Sequence, residues 1–362
     1  MNTLGESFVF TSFGESHGKA IGGVLDGVPA GVHINLDMIR RQLDRRAGRL
    51  IEDNSNFLIQ DSKLPTSPRA QREKDEVEWL SGVIDGVTLG TPIAFIIRNQ
   101  DARPEDYEWL KHSYRIGHAD RTYQEKYGIR DHRGGGRASA RETASRVVAG
   151  SVAQQLLKEK GVEIQAKLVQ VGEEKNPELF EEYIAAIQRE GDSIGGIVEC
   201  VITGLPVGIG EPIFDKLQSH LAFAMMSING CKGFEYGSGF EGISLKGSEM
   251  YLSENHTLIS GGIAGGISDG TPVVFRCVFK PTASNRKTFE VLCSEVLISP
   301  ESSNDYSQAN VQEFRSSEDN NSKFLIQHSK LPLGRHDACI AVRAVAVVEA
   351  MAALVLQDLL SK

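Results

Sequence analysis

The sequence contains few of the features that mark metal-binding, secreted or membrane proteins. Its five cysteines among 362 residues form no CxxC pair and no metal-ligand spacing, which favours free thiols in a reducing cytoplasm and predicts no metal site. The segment MNTLGESFVF lacks the basic region and long apolar run of a secretory signal. The most apolar stretch, residues 338–360, is interrupted by Arg343, Glu349 and Asp358, which indicates a buried helix and no membrane association.

Nucleotide-binding signatures and an overall positive charge are missing as well. No GxxxxGK[ST] motif is present, so a P-loop is excluded. GSGFEG at residues 237–242 matches GxGxxG, but the strand-like ISLKG follows where a dinucleotide site requires a helix. The formal net charge is −9 and aromatic residues do not interleave the basic segment, which argues against a nucleic-acid partner.

Positive charge is concentrated in one segment, residues 115–146. It holds eight arginines or lysines against four carboxylates, a local charge of +4, so the remainder of the chain carries −13. A cationic island in an acidic protein favours a small anionic ligand over a polyanion. We therefore take this segment as a candidate site.

The order of residues in this segment predicts a loop that leads into a helix. Gly134–Gly136 allow close backbone approach, and Ser139 with Glu142 forms a capping box. Apolar residues then recur every fourth position and Gly161 follows as a helix stop; they are Ala140, Ala144, Val148, Val152 and Leu156. Unpaired N–H groups at such a helix start suit anionic oxygens. The alternative is an arginine-rich solvated turn before a packed helix.

Two other segments carry candidate site residues. In SFGESHG, residues 12–18, His17 follows a short apolar strand at a turn where its ring can face a cleft, although a lone histidine is more often structural. The helix NLDMIRRQLDRR has a stripe of Leu36, Ile39 and Leu43 and ends in a cluster of arginines. Cations suit a helix C-terminus, but their number favours a second wall of the anion site.

Internal repeats favour an α+β fold with two related halves. DGVPAGV near Gly27 recurs as TGLPVGI near Gly204, and GTPIAF at residue 90 recurs as GTPVVF at residue 270. The offsets of 177 and 180 residues are nearly equal, so we predict two strand–helix–strand units within one large domain or two. A second repeat, NSNFLIQDSKLP at 54–65 and NSKFLIQHSKLP at 321–332, is consistent with a duplicated insertion in surface loops.

Taken together, SFGESHG, RIGHADRTYQEKYGIRDHRGGGRASARET, SINGCKG, KPTAS and GRHDACIAVRAV resemble chorismate synthases in content and order. The resemblance implies helices between antiparallel sheets in a single domain over residues 1–362. The halves would be about 1–160 and 161–362, with inserted loops at about 50–66 and 295–332. It also implies a cytoplasmic homotetramer.

The activity implied by the resemblance is the conversion of 5-enolpyruvylshikimate 3-phosphate to chorismate and phosphate, the last common step of aromatic amino-acid biosynthesis. Phosphate and a C6 proton leave by anti-1,4-elimination, in the presence of reduced FMN but without net redox change. FMN would be reduced at the expense of NADPH, with a separate flavin reductase as the expected partner.

Residue roles follow from the same resemblance. His17 would protonate the leaving phosphate, His118 would stabilise or protonate the reduced flavin, and Asp337 would help remove the C6 proton. The substrate would contact Ser16, Arg46, Arg49, Arg115 and Arg141, with Arg121 and Arg335 as further candidate donors. The flavin would contact Arg137, Ala138, Ser139, Asn229, Gly230, Gly265, Lys280, Pro281, Thr282, Ala283, Ser284 and Arg335.

The chain departs from the family pattern at Ala138, Ile116 and Ala338, where Ser, Pro and Pro are usual. A lost hydroxyl at Ala138 removes at most one hydrogen bond, of about 1 kcal/mol. The first arginine loop is longer than is typical, which leaves open which arginine after Arg46 completes the site, Arg49 or Arg69. A catalytically silent flavin- or phosphate-binding protein is the alternative function, but His17, His118 and Asp337 together favour an enzyme.

Overall fold

The computed structural model describes residues 1–49, 64–112, 114–251, 259–287, 312–314, 324–326 and 337–362. The first copy of the repeated insertion lies almost wholly outside these ranges. Of the second copy, only Phe324–Ile326 is described. Arg335 is also outside the described residues.

Eight helices are present in the described part of the chain. They are α1 (Leu36–Ala47), α2 (Pro68–Arg72), α3 (Asp120–Tyr127), α4 (Thr143–Glu159), α5 (Phe180–Glu190), α6 (Leu217–Met226), α7 (Gly247–Tyr251) and α8 (Ala341–Leu359). Short 3₁₀ turns cover Pro104–His112, Gly136–Ala138, Ala140–Glu142, Pro177–Leu179 and Gly239–Ser244.

Within the described ranges the strands form two larger antiparallel sheets and three two-stranded antiparallel pairs. They are β1 (Thr3–Leu4), β2 (Val9–Gly14), β3 (Ala20–Asp26), β4 (Val77–Ser81), β5 (Val83–Ile84), β6 (Val87–Thr88), β7 (Ile93–Arg98), β8 (Glu163–Val171), β9 (Gly196–Thr203), β10 (Cys231–Tyr236), β11 (Ile263–Ala264), β12 (Ile267–Ser268), β13 (Val273–Phe279), β14 (Gln312–Phe314) and β15 (Phe324–Ile326). The first sheet has the order β1-β2-β3-β7-β4 and the second β10-β13-β9-β8.

The two sheets repeat one topology. Strands β2-β3-β7-β4 of the first half correspond in order to β8-β9-β13-β10 of the second. In both halves the GTP motif directly precedes the central strand, β7 or β13, and a helix follows the turn after β3 or β9. The predicted α+β fold with two related halves is therefore confirmed. The division near residue 160 stays a prediction.

Helices α4 and α8 form the layer between the sheets. They pack against each other, α4 also contacts β2 and β3, and α8 contacts β8 and β9. The helices approach closely, because a Cβ added at Gly150 would lie 2.4 Å from Ala350. Nearly every residue of α8 is buried, as expected for a helix that is apolar on all faces. None of the described helices is long and apolar enough to cross a membrane.

The predicted start and end of α4 are close to the observed ones. The Ser139 hydroxyl accepts a hydrogen bond from the Arg141 N–H, and a 3₁₀ turn at Ala140–Glu142 leads into the helix. The Glu142 carboxylate pairs with Arg146 at 2.9 Å, so the reciprocal half of the capping box is replaced by an i,i+4 ion pair. Gly161, with φ +80°, follows the C-cap residue Lys160.

Two local predictions are wrong. Leu36 of the predicted apolar stripe is 49% exposed, because α1 begins at this residue and buries only the later turns through Ile39 and Leu43. The segment ISLKG is not a strand. A 3₁₀ turn ends at Ser244 and α7 begins at Gly247, where the Glu249 carboxylate accepts the Lys246 N–H at 2.8 Å.

Candidate active site

A cavity of about 590 Å³ lies where the two halves meet. The first half contributes His17, Arg69, Tyr107, Arg115, His118, Arg137, Ala138, Ser139 and Arg141 to its lining. The second half contributes Asn229, Gly230, Lys280–Ser284, Asp337 and Arg343. His17, His118 and Asp337, which are far apart in sequence, therefore share one cavity.

His17 is held in the turn between β2 and β3. Its Nδ1 lies 3.1 Å from the Ser16 hydroxyl, and its Nε2 lies 3.4 Å from Nη1 of Arg69. The Tyr107 ring contacts the imidazole edge-on with a centroid distance of 4.7 Å. These contacts keep a largely buried imidazole at the cavity wall.

The glycines of the arginine segment make room for both histidines. A Cβ on Gly134 would lie 2.2 Å from the His17 ring, and one on Gly135 would lie 2.7 Å from the His118 ring. Both glycines also have positive φ, at +64° and +89°, which side chains rarely adopt. Glycine is required here for close approach to side chains of the site.

Asp120 holds the second histidine. Its carboxylate lies 2.9 Å from Nδ1 of His118 and accepts two hydrogen bonds from the Arg115 guanidinium, at 2.8 and 2.9 Å. Burial raises the pKa of Asp120, but the hydrogen bonds from Arg115 and His118 outweigh it, and the pKa is well below its ordinary value. The ionised Asp120 therefore fixes the orientation of the imidazole.

Asp337 is fixed by three different elements. The Ser67 N–H donates to Oδ1 at 2.7 Å, and Nη1 of Arg343 donates to Oδ2 at 2.9 Å. The Thr282 hydroxyl donates to the Asp337 carbonyl at 2.9 Å. The carboxylate is 9% exposed at the cavity wall just before α8.

Unsatisfied arginine donors line the same cavity. Arg141 is 5% exposed and is paired with Asp75 and with Glu73. Nevertheless its buried Nη2, together with the buried Nε of Arg69, has no hydrogen-bond partner among the described residues. Buried guanidinium N–H groups without partners are costly. Two such groups, on arginines that line one cavity, suit an anionic ligand.

Three predicted substrate contacts lie behind the cavity wall instead of on it. Arg46 is buried, bonds Thr143 and lies 3.5 Å from Asp75. Burial and the positive charges of Arg343 and Arg141 lower the pKa of Arg46 to about 9. Arg49 pairs with Asp44 at 2.5 Å, and Ser16 is fully buried beside His17. These side chains lie behind the residues of the cavity wall. Arg69 itself lines the cavity.

Most of the predicted flavin contacts line the cavity. Arg137, which bonds the Ser12 hydroxyl at 2.9 Å, approaches from one side and the 280–284 turn from the other. The Lys280 ammonium donates to the Gly117 carbonyl at 2.8 Å. Burial and the charge of Lys232 lower the pKa of Lys280. Gly265 lies in the β11–β12 hairpin and is not part of this lining.

Several residues of the site were not found by sequence reasoning. Asp120 could have been suspected, because it follows His118 at i+2 in a cationic segment. Arg343 stands in the GRHDACIAVRAV motif, but no spacing rule identifies it as the partner of Asp337. Tyr107 and Glu73 lie at positions without a distinctive pattern, and their contacts with His17 and Arg141 join segments that are distant in sequence.

The fold and the cavity define an α+β protein with an enzyme-like cavity, which suits an anionic small molecule beside two histidines and a carboxylate. The family model for chorismate synthase matches residues 8–295. The chain is 43% identical to a chorismate synthase of Christiangramia forsetii and 41% identical to one of Bacteroides thetaiotaomicron, over 99% of this chain and 96% and 97% of those proteins. A crystal structure of chorismate synthase is similar with a TM-score of 0.66 and 28% identity, over 99% of this chain and 92% of that one. The chain belongs to the chorismate synthase family, and it is a lyase of chorismate formation.

Proposed function

We propose that the protein converts 5-enolpyruvylshikimate 3-phosphate to chorismate and phosphate by anti-1,4-elimination, with reduced FMN as the cofactor. The C3–O bond breaks, phosphate leaves with its electron pair, and C6 loses a proton while a new double bond forms. The sum is redox-neutral. The observation that supports this proposal is the convergence of His17, His118 and Asp337 on one arginine-lined cavity.

The arginines account for the binding of the substrate. A phosphate and two carboxylates need several planar donors. Arg69, Arg115 and Arg141 line the cavity, and the unpartnered N–H groups of Arg69 and Arg141 would be satisfied by anionic oxygens. Arg46 and Arg49 act indirectly. Arg46 lies 3.5 Å from Asp75, which also pairs with Arg141, and Arg49 donates to the Ala70 carbonyl next to Arg69 at 3.1 Å.

The titratable side chains supply the proton transfers. His17, next to the cationic Arg69, would protonate the leaving phosphate, since a protonated phosphate leaves more readily. His118, with Asp120 behind Nδ1, would present Nε2 to the cofactor as a donor. Asp337 would receive the proton that leaves C6. Each role requires only a side chain that already lines the cavity.

The cavity fits a flavin mononucleotide. Its volume is within the range of about 300–1,000 Å³ that is typical of ligand sites. Arg137 to Ser139, Asn229, Gly230 and the 280–284 turn would hold the cofactor. When bound, reduced FMN supplies an electron-rich ring system and a nitrogen that can exchange a proton without net oxidation.

Three further expectations belong to this proposal. FMN is reduced at the expense of NADPH by a separate flavin reductase. The enzyme works in the cytoplasm, which agrees with the free thiols of its four described cysteines.

The enzyme assembles as a homotetramer. Self-association is supported by large apolar side chains that are at least 80% exposed in this chain, including Phe214, Phe240 and Ile243. Light scattering of the purified protein measures this.

An anaerobic assay with chemically reduced FMN and the phosphorylated substrate tests the proposal. We expect chorismate and one equivalent of phosphate, with no product when FMN is omitted or oxidised. NADPH alone should support little turnover. Full aerobic activity with NADPH, no FMN and no reductase would overturn the cofactor assignment.

A further inference from the structure

Arg343 has no assigned role, yet its guanidinium reaches a carboxylate of the site. It lies in the first turn of α8, where its N–H donates to the Ile340 carbonyl at 3.1 Å. From there Nη1 donates to Oδ2 of Asp337 at 2.9 Å. Both side chains are largely buried at the cavity wall, at 12% and 9% exposure.

The remaining contacts of Asp337 restrict it further. Oδ1 is occupied by the Ser67 N–H at 2.7 Å, and the backbone is held by Thr282 at 2.9 Å. The adjacent Ala338 carbonyl accepts the Ile194 N–H at 2.8 Å. The backbone is thus fixed independently of Arg343, whereas the orientation of Oδ2 depends on it.

The charges around the Arg343–Asp337 contact explain its importance. Arg343 lies close enough to buried Arg46 for its charge to help lower the pKa of Arg46, after burial itself. Asp337 is the only ion-pair partner of Arg343 among the described residues, so the two neutralise each other beside an excess of positive charge.

We propose that Arg343 is a positioning residue for the reaction, which holds the Asp337 carboxylate in a fixed orientation at the cavity wall. The proposal rests on the role given to Asp337 above. Arg343 acts through Asp337 and need not touch the reacting atoms. A guanidinium fork is suited to this task because it is always charged and presents its donors in a fixed plane.

The test compares kcat and KM of wild type, Arg343→Ala, Arg343→Lys, Asp337→Ala and the double variant Arg343→Ala/Asp337→Ala. We expect Arg343→Ala to lower kcat by about 10-fold or more while KM changes by less than about twofold. Arg343→Lys should be intermediate. The double variant should be no slower than Asp337→Ala, because both changes remove the same Arg343–Asp337 ion pair. Added guanidinium should restore part of the activity of Arg343→Ala.

Arg276→Ala serves as the matched control, since it removes an arginine–carboxylate pair of 2.8 Å with Glu235 outside the cavity. It should respond to guanidinium no more than wild type does. Additive losses in the double variant, a rise in KM at unchanged kcat, or wild-type kcat in Arg343→Lys would overturn the proposal. If Arg343→Ala does not fold, Arg343→Lys with and without Asp337→Ala decides by the same criteria. Wild-type kcat in Asp337→Ala alone would instead contradict the proposed function.

Discussion

Two histidines line the cavity, and their neighbours differ. His17 lies between the Ser16 hydroxyl and the Arg69 guanidinium. His118 has the ionised Asp120 behind it, with the carboxylate 2.9 Å from Nδ1. The same type of side chain thus has two environments, which suits the two different tasks proposed for these residues.

Replacement of His17 tests the first of these tasks. His17→Ala should lower kcat by about 10-fold or more, since a general acid contributes about 10²- to 10⁴-fold, while substrate binding persists through the arginines. Anaerobic steady-state kinetics measure both constants. His220→Ala, which removes a histidine 3.3 Å from Asp215 outside the cavity, should leave both unchanged. Wild-type kcat in His17→Ala would contradict the assigned role.

The low pKa of Asp120 predicts how the stability of the folded protein changes with pH. Its pKa in the folded protein is below the ordinary value of about 3.9. Its contribution to the free energy of unfolding is therefore complete above that value and is lost as the pH falls through the folded pKa. We expect Asp120→Asn to lower Tm by a constant amount above about pH 5, and this difference should shrink below about pH 4. Thermal unfolding across pH measures it.

The exposed Asp37, in the first turn of α1, is the control for that series. Asp37→Asn should change Tm only slightly at every pH, because an exposed charge at a helix start contributes less than about 1 kcal/mol. A difference between wild type and Asp120→Asn that grows towards acid pH would show that Asp120 does not act through its ionised form.

At the scale of elements, the loop at Gly134–Gly136 matters through the space it leaves. Gly134→Ala would place a methyl group 2.2 Å from the His17 ring, so His17 must move. Gly128→Ala is a close control, because Gly128 has a similar φ of +71° but open space around its Cβ position. Both variants carry the backbone strain, of about 1 kcal/mol. Only Gly134→Ala should lose activity, by about 10-fold or more.

Sequence patterns predicted these elements where the physical cause is local. The start of α4 at Ser139, its buried stripe and the glycine at residue 161 all depend on neighbours within a few positions. The burial of Arg46 does not depend on such close neighbours. Four of the terminal α1 arginines looked alike in sequence, yet two are exposed and Arg45 and Arg46 are buried. Their burial depends on Glu349 and Asp75, and no spacing rule connects such distant residues.

The site was predictable to a similar degree. His17, His118 and Asp337 stand in distinctive motifs, and they do share a cavity. The choice of Arg69 over Arg49 could not be made from sequence, because both lie in one arginine-rich stretch. Their directions are decided by the turn of α2 and by the pairing of Arg49 with Asp44.

At the scale of the whole molecule, a buried ion pair ties the halves together. Arg45 of α1 bonds Glu349 of α8 at 2.7 Å, and Glu349 also accepts the Ala166 N–H of β8 at 2.6 Å. Glu349→Ala removes the carboxylate that pairs with the buried Arg45 guanidinium, so we expect a loss of about 3–5 kcal/mol in the free energy of unfolding. Urea denaturation measures it.

Glu199→Ala is the matched control for that measurement. Glu199 pairs with the exposed Lys167 at 3.4 Å, and an exposed pair contributes at most about 1 kcal/mol. Equal losses in the two variants would show that the Arg45–Glu349 pair does not hold the halves together more strongly than a surface pair does.

The shared strand order of the two sheets, with α4 packed against α8 between them, has a consequence for the origin of the chain. The two halves pack against each other as the two subunits of an obligate twofold dimer do. Separated, either half would expose the apolar helix face that its counterpart covers. An ancestor encoded by half of this gene would therefore have had to self-associate in order to fold. The two halves are unequal in the present chain, because the glycine loop that admits the histidines occurs in only the first of them.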